Sequence, residues 1–297
     1  MMYQDLYKHG CERLARAGIE EAKLDARLLL EYVCGTNRND LLVRGQQEVA
    51  PEKEEEYRCL LEKRALRIPL QQLTGTQEFM GLSFEVNEHV LIPRQDTEIL
   101  VEEVLRELQD GMSVLDMCTG SGCILISLLY YTNGCRGVGV DISEEALAVA
   151  KQNAGRIFHE RKPSLFADMG ADGESADITF VESDLFAKIT EKYDFIVSNP
   201  PYIRSDVIET LMPEVRVYEP RLALDGREDG LYFYRRIVED SKVHLNRGGR
   251  LYFEIGYDQA EQVSGLMRQA GFEDIDVVKD FAGLDRVVYG TWIDSRR

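Results

Sequence analysis

Over the first 70 residues, apolar side chains recur at helical spacing. In "LDARLLLEYVC", Leu24 to Cys34, they gather on one face, and Gly35 follows as a stop signal. "PEKEEEYRCLLEKRAL" opens on Pro51, a favoured first helical residue, and its glutamate-rich start complements the helix dipole. Pro69 ends this helical region. "QQLTGTQEFMGLSFEVN" then sets Gly75 and Gly81 among β-prone residues, which predicts a hairpin connecting two domains, with Phe79 and Met80 in its packing.

From Met112 onward the period changes. "SVLDM", "GVGVD", "ITFVES", "DFIVS", "RLYFEIG", "DIDVVKD" and "RVVYGTW" read as strands, and helical stretches separate most of them. That alternation is the pattern of an α/β doubly wound, mostly parallel sheet. Only "FAGLD" joins the last two strands, too short for a parallel crossover, so the last strand is expected to be antiparallel. "DMGADGESAD", Asp168 to Asp177, is acidic and without periodicity, and reads as an exposed loop.

A chain of 297 residues with 44% hydrophobic and 30% charged residues is long enough for two cores. Lys and Arg number 35 against 53 Asp and Glu, and the net charge of -18 disfavours nonspecific adhesion to nucleic acid or anionic membrane. The start, "MMYQDLYKHG", has no basic segment followed by an apolar run, so no secretory signal is expected. The longest apolar run, Cys123 to Tyr131, is far short of the roughly 20 residues a membrane span needs. These features predict a soluble, cytoplasmic protein. The six cysteines show no C-x-x-C pair and no zinc-like spacing to the four histidines; reduced thiols and no metal are expected.

Candidate chemistry gathers at four strand ends. "VLDMCTGSGCILISLL" is a strand, a Gly-rich turn and a helix, in which Gly120 and Gly122 allow close approach of a ligand to the helix N-terminus. No Gly-Lys-Ser/Thr follows, and Leu125 stands where a dinucleotide fingerprint has its third glycine. Asp141 ends the next strand, 21 residues after Gly120, where a carboxylate accepts hydrogen bonds from ribose hydroxyls. Asp184, after the third strand, either accepts from an adenine amino group with Leu185 packed on the ring, or caps a helix. Such a set suits an adenosine without a pyrophosphate, and so S-adenosylmethionine.

The fourth strand ends in Asn199-Pro200-Pro201-Tyr202. An amide or amino nitrogen conjugated to a π-system is a poor nucleophile, and its activation is what such a site must supply. The Asn199 side-chain oxygen can accept one N–H of a planar amino group and the Pro200 carbonyl the other, which aims the lone pair and stabilises developing positive charge. Pro200 keeps Asn199 out of the helical region, and the two prolines make the carbonyl direction rigid. Tyr202 offers a flat face to the substrate. No strong base or metal is required.

These residues, with "IPLQQLTGTQEFMGLSFEVNEHVLIPRQDTEILVE", "VDIS", "SNPPYI", "YEPRLALDGREDGL", "FEIGYDQ" and "DFAGLDRVVYG", resemble the bacterial release-factor glutamine methyltransferases nearly end to end. The tetrapeptide alone is shared with methyltransferases of DNA amino groups; its combination with "LIPRQDTE" and "EPRLAL" is more specific. The resemblance implies a small N-terminal helical domain that docks the protein substrate (residues 1–70), a hairpin connection (71–91) and a seven-stranded catalytic domain (92–297). It implies methyl transfer from S-adenosylmethionine, leaving S-adenosylhomocysteine, to the glutamine side chain of the Gly-Gly-Gln motif in peptide-chain release factors. Asn199, Pro200, Pro201 and Tyr202 would hold the glutamine, and Thr119, Gly120, Ser121, Gly122 and Asp141 the cofactor, beside Asp184, Leu185 and Asn199. Cys118 stands where the family usually has glycine, and Gln95 replaces a proline. Arg94, Glu98, Glu219 and Arg221 are expected to form ion pairs that position loops. The alternatives are an amino methyltransferase of adenine or cytosine, which the net charge disfavours, and a noncatalytic cofactor-sensing protein, which would have no use for amide-activating acceptors.

Overall fold

The computed structural model describes residues 1–160 and 177–293. The chain forms two compact units, Met1–Thr76 with Met212–Tyr218, and Gln77–Leu211 with Glu219–Arg297. The acidic stretch from Asp168 lies outside the described residues except for Asp177, which opens a strand.

The smaller unit packs the helices Tyr3–Arg16, Ala22–Cys34 and Pro51–Ala65 around Leu6, Leu14, Leu29, Leu30, Tyr57 and Leu61. The second helix ends at Gly35, as the stop signal predicts. Tyr57 is fully buried and its hydroxyl donates to the Ala26 carbonyl at 3.0 Å, so the ring is buried without an orphaned polar atom.

The short helix Pro213–Tyr218 packs with this unit, whereas the sequence places it inside the segment expected from residue 92 onward. Ion pairing explains the difference. Arg64, buried, reaches Asp25 at 2.7 Å and Glu214 at 3.1 Å, and Arg67 reaches Glu214 at 3.0 Å. The Tyr218 hydroxyl donates to the Leu66 carbonyl at 2.8 Å. No local pattern in the sequence announces such long-range pairs.

The larger unit begins with the hairpin β1 (Thr76–Phe79) and β2 (Leu82–Glu85), whose Phe79 and Phe84 are buried edge to face. Seven strands then form one sheet: β3 (Ser113–Met117), β4 (Arg136–Asp141), β5 (Asp177–Glu182), β6 (Tyr193–Ser198), β7 (Leu245–Glu254), β8 (Phe272–Lys279) and β9 (Asp285–Trp292). Their order is β5-β4-β3-β6-β7-β9-β8. The first five are parallel neighbours, and β9 runs antiparallel to both β7 and β8, as the short "FAGLD" connection requires.

Both faces of the central strands are covered, so β3 and β6 are buried almost throughout and alternate residues enter opposite cores, whereas the edge strands β5 and β8 keep exposed charged residues. Val114, Phe195, Val197 and Tyr252 face the helices Gln95–Leu105 and Cys123–Tyr130. Leu115, Ile196, Leu251 and Phe253 face Tyr232–His244 and Ala260–Ala270. All six cysteines are free thiols; Cys34, Cys123 and Cys135 are buried and Cys59 is exposed. Among the described residues, no helix is long and apolar enough to cross a membrane, and no cluster of His, Cys, Asp or Glu could hold a metal ion.

One buried charge in this sheet sets a pH dependence. Asp116 is fully buried in β3, its Oδ2 accepts from the Thr119 hydroxyl at 2.6 Å, and its Oδ1 has no partner. Burial pushes its carboxyl up from 3.8 to about 7, against the hydrogen bond from Thr119. The folded chain therefore holds a proton that the unfolded chain releases, and stability falls as pH rises from about 4 to about 7. Asp116→Asn removes this dependence. Thermal melts of variant and wild type at pH 5 and pH 8 should show the variant gaining relative stability at the higher pH. The gain should reach up to a few kcal/mol, because each tenfold change in proton affinity is worth about 1.4 kcal/mol.

Candidate functional site

The carboxyl ends of β5, β4, β3 and β6 are adjacent, and this places Asp184, Asp141, the Gly-rich turn and Asn199 along one edge of the sheet. A cavity of about 270 Å³ opens there. Thr119, Gly120, Ser121, Asp141, Asp184, Leu185, Asn199 and Pro201, all expected from the sequence, line it. Gly122, Pro200 and Tyr202 do not. Gly122 starts the helix Cys123–Tyr130 just behind the turn.

The turn is tight because β3 must pass directly into that helix. Gly120 and Gly122 have φ of 54° and 80°, and a Cβ on Gly122 would stand 2.8 Å from Ile126 Cδ1. Cys118 also has a positive φ, 63°, a conformation that costs a non-glycine residue about 1–3 kcal/mol. This is the physical content of its departure from the family's glycine.

Asp141 is oriented by backbone. Its Oδ2 accepts from Gly120 N–H at 2.9 Å and its Oδ1 from Ser143 N–H at 3.0 Å. Burial raises its carboxyl above the ordinary range, and these backbone hydrogen bonds oppose the shift. A carboxylate offers about four lone-pair sites, so acceptor capacity remains toward the cavity. Asp184 does not cap the one-turn helix Leu185–Lys188 with its side chain; both its oxygens pair with Arg236, at 2.9 and 3.1 Å. Leu185 is buried at φ 50°.

On the other side, Asn199 follows β6 and its Nδ2 donates to Thr97 Oγ1 at 3.3 Å. Tyr202, expected to offer its ring to a substrate, is tied through its hydroxyl, which donates to Glu254 Oε1 at 3.2 Å, and the half-buried side chain packs against the second core. Its backbone is equally constrained. The Tyr202 carbonyl accepts from Gln259 Nε2 at 3.1 Å, Ile203 N–H donates to the Leu224 carbonyl at 3.0 Å, and Gly226 N–H to the Ile203 carbonyl at 2.8 Å. Motifs "LALDGREDGL" and "FEIGYDQ" thus serve as the back wall of the tetrapeptide.

Gly230 shows how close that wall is. With φ 74°, a Cβ there would stand 2.4 Å from the Tyr202 carbonyl oxygen. Gly230→Ala should destabilise the fold by at least about 1 kcal/mol and lower turnover more than it weakens cofactor binding. Denaturant melts paired with turnover assays check this.

Of the expected ion pairs, Arg94 and Glu219 do meet: Arg94 Nη2 lies 2.7 Å from both oxygens of the buried Glu219. Burial raises the Glu219 carboxyl and Arg94 opposes that. Glu98 instead accepts from the Met80 N–H at 2.6 Å, and Arg221 pairs with Glu209 at 2.9 Å on the surface. Sequence reasoning missed Thr97, Arg236, Tyr232 and Phe233, which also line the cavity. Thr97 sat unassigned in "LIPRQDTE"; the other three lie in the first two turns of the helix Tyr232–His244, whose amphipathic pattern gives no sign of a ligand.

Residues 5–75 match the PrmC N-terminal domain and residues 94–215 the methyltransferase small domain. The chain is 44% identical over 93% of its length to a release factor glutamine methyltransferase of Geobacter sulfurreducens, covering 92% of that protein. The chain belongs to the release factor glutamine methyltransferases. A relative of that name from Clostridium botulinum is 41% identical, covering 97% of this chain and 98% of its own. A methyltransferase from Pyrococcus furiosus shares the fold, with a TM-score of 0.53 at 15% identity over 78% of this chain and 99% of that one. As a member of this family the protein is a methyltransferase.

Proposed function

We propose that this release factor glutamine methyltransferase binds S-adenosylmethionine along the β3, β4 and β5 ends and methylates the side-chain amide nitrogen of the Gly-Gly-Gln glutamine in peptide-chain release factors. The observation that carries the reading is Asn199 at the cavity wall, at the end of β6, with its Nδ2 already donating to Thr97 Oγ1, which leaves its Oδ1 available as an acceptor.

The donor set fits the cofactor: Asp141 with acceptor capacity to spare for two ribose hydroxyls, the Thr119 to Gly122 turn beside it, and Ile142, Leu185 and Phe233 as apolar walls for a purine. Asp184, already paired with Arg236, accepts from the adenine amino group through its remaining lone pairs. When bound, S-adenosylmethionine supplies a sulfonium methyl as the electrophile. Asn199 Oδ1 accepts one N–H of the glutamine amide and the Pro200 carbonyl, between two lining residues though not itself in the lining, accepts the other; together they hold the nitrogen in line with that methyl and stabilise the positive charge that develops on it. Pro201 closes the wall beside them, and Tyr202 keeps the loop rigid through Glu254. The proton leaves the nitrogen afterwards, to solvent, so no strong base is needed. Because release factors act on ribosomes, the cytoplasm is where the enzyme works.

A methyl-transfer assay with labelled S-adenosylmethionine tests this against the nucleic-acid alternative. Release factor, its Gly-Gly-Gln→Gly-Gly-Ala variant and duplex DNA are offered side by side. Label on the unsubstituted factor alone is expected; label on DNA, or on both forms of the factor equally, would overturn the substrate reading.

A further inference from the structure

Pro200 and Pro201 have no N–H to bond, so the tetrapeptide loop depends on what holds its two ends. At the leading end, β6 pairs with β3 and the Ser198 hydroxyl donates to the Met117 carbonyl at 2.6 Å. At the trailing end, the peptide plane between Tyr202 and Ile203 is held at both of its polar groups. Its N–H, on Ile203, donates to the Leu224 carbonyl at 3.0 Å, and its carbonyl, on Tyr202, accepts from Gln259 Nε2 at 3.1 Å. Without Gln259 the plane would keep one of these anchors and lose the other.

The Gln259 amide cannot be turned over. Gln259 is 8% exposed and stands at the N-cap of the helix Ala260–Ala270. Its Oε1 accepts from the Gly256 N–H at 3.0 Å, and a backbone N–H can only donate. Its Nε2 faces the carbonyl oxygens of Tyr202, at 3.1 Å, and Gly230, at 3.4 Å, and a carbonyl can only accept. Reversal would set donor against donor and acceptor against acceptor. The amide also sits in a slot walled by glycines: a Cβ on Gly256 would stand 2.9 Å from Oε1, and one on Gly230 would stand 2.7 Å from Nε2.

Gln259 thereby joins two stretches of the cavity wall. Tyr202 ends the loop that begins at Asn199, and Gly230 leads into the helix Tyr232–His244, whose Tyr232 and Phe233 line the cavity. That helix has anchors of its own in the buried Tyr234 and Ile237. The loop has fewer, and because its ring locks the φ of Pro201, the direction of the Pro200 carbonyl follows the Tyr202 plane closely.

We propose that Gln259 is a positioning residue that locks the peptide plane after Tyr202, ties it to Gly230 and so keeps the Pro200 carbonyl aimed at the substrate N–H. The inference rests on the reading of Asn199 and Pro200 as the substrate's acceptors, and Asn199→Ala tests that reading separately.

Turnover, Michaelis constants for S-adenosylmethionine and release factor, and calorimetric affinity for S-adenosylmethionine are measured for the full chain and for Gln259→Met, Gln259→Glu and Asn199→Ala. Assays are run at about pH 9 to keep an introduced carboxyl ionised, and thermal melts establish folding. Gln259→Met keeps the length and loses the hydrogen bonds. It should lower kcat by about tenfold or more, since a misplacement of about 1 Å can cost about a hundredfold, with both Michaelis constants and cofactor affinity within about threefold. Gln259→Glu, the closer match in shape, keeps the Gly256 hydrogen bond but turns a carboxylate oxygen on two carbonyls, so it should be the slower of the two. Its loss of kcat at unchanged affinity carries the test alone where Gln259→Met does not fold. Failure of both to fold would assign Gln259 to the fold rather than the site and overturn the role. Wild-type kcat in both Gln259 variants beside a slow Asn199→Ala would overturn it too and leave the site reading intact. So would a Gln259→Glu faster than Gln259→Met, the order that packing alone predicts, or a fall of cofactor affinity in step with kcat. Wild-type turnover in Asn199→Ala would overturn the site reading and the inference with it.

Discussion

Replacing Asn199 with alanine is expected to lower methyl-transfer turnover by at least about tenfold, and by as much as roughly a thousandfold, while S-adenosylmethionine affinity stays within a few-fold. One acceptor aimed at charge that develops only in the transition state is worth roughly 2–4 kcal/mol, and its loss appears in kcat rather than in binding. Asn199 touches the cavity at the end of β6, whereas the candidate ribose acceptor lies at the end of β4, two strands away across β3. Parallel loss of turnover and cofactor affinity, read from kinetics and calorimetric titration of S-adenosylmethionine, would assign Asn199 mainly to the cofactor. The substitution should hardly affect folding, since Asn199 is half-buried and makes one long side-chain hydrogen bond.

Asp141→Ala should show the opposite division. Hydrogen bonds to a charged acceptor are worth roughly 1.5–3 kcal/mol each. Loss of two from the ribose hydroxyls should weaken cofactor binding by about a hundredfold or more. The same carboxylate orders the turn through Gly120 N–H and the next loop through Ser143 N–H, so part of the loss is preorganisation. Asp141→Asn separates these contributions, because its amide can still accept on one side. It should fall between wild type and alanine. Titration of both variants with S-adenosylmethionine and S-adenosylhomocysteine checks the ranking, and an alanine variant that binds within threefold of wild type would remove Asp141 from the ribose site.

That the Gly-rich turn, Asp141 and Asp184 line one cavity was legible in the sequence because each is local to a strand end and follows the regular βα rhythm. The seven strands could be read for the same reason, and so could the antiparallel β9, since a five-residue link leaves no other geometry. What could not be read depends on contacts distant in sequence. The segment Met212–Tyr218 joins the N-terminal helices through Glu214 and residues about 150 positions earlier. Thr97 meets Asn199 only once the helix Gln95–Leu105 has packed beside β6, and Tyr202 meets Glu254 only once β7 has. Tyr202 shows the cost of reading a motif by its side chains alone: its ring suggests stacking, but its hydroxyl has a buried partner that turns it into an anchor.

The central claim, that a pair of oxygen acceptors presents a planar amide nitrogen to an electrophilic methyl group, is tested most directly by locating the transferred methyl. Release factor treated with the enzyme and S-adenosylmethionine is digested, and the peptide spanning Gly-Gly-Gln is sequenced by tandem mass spectrometry. The account predicts one added methyl group on the glutamine side-chain nitrogen. A methyl on any other residue, or an unmodified glutamine in a labelled factor, would contradict it.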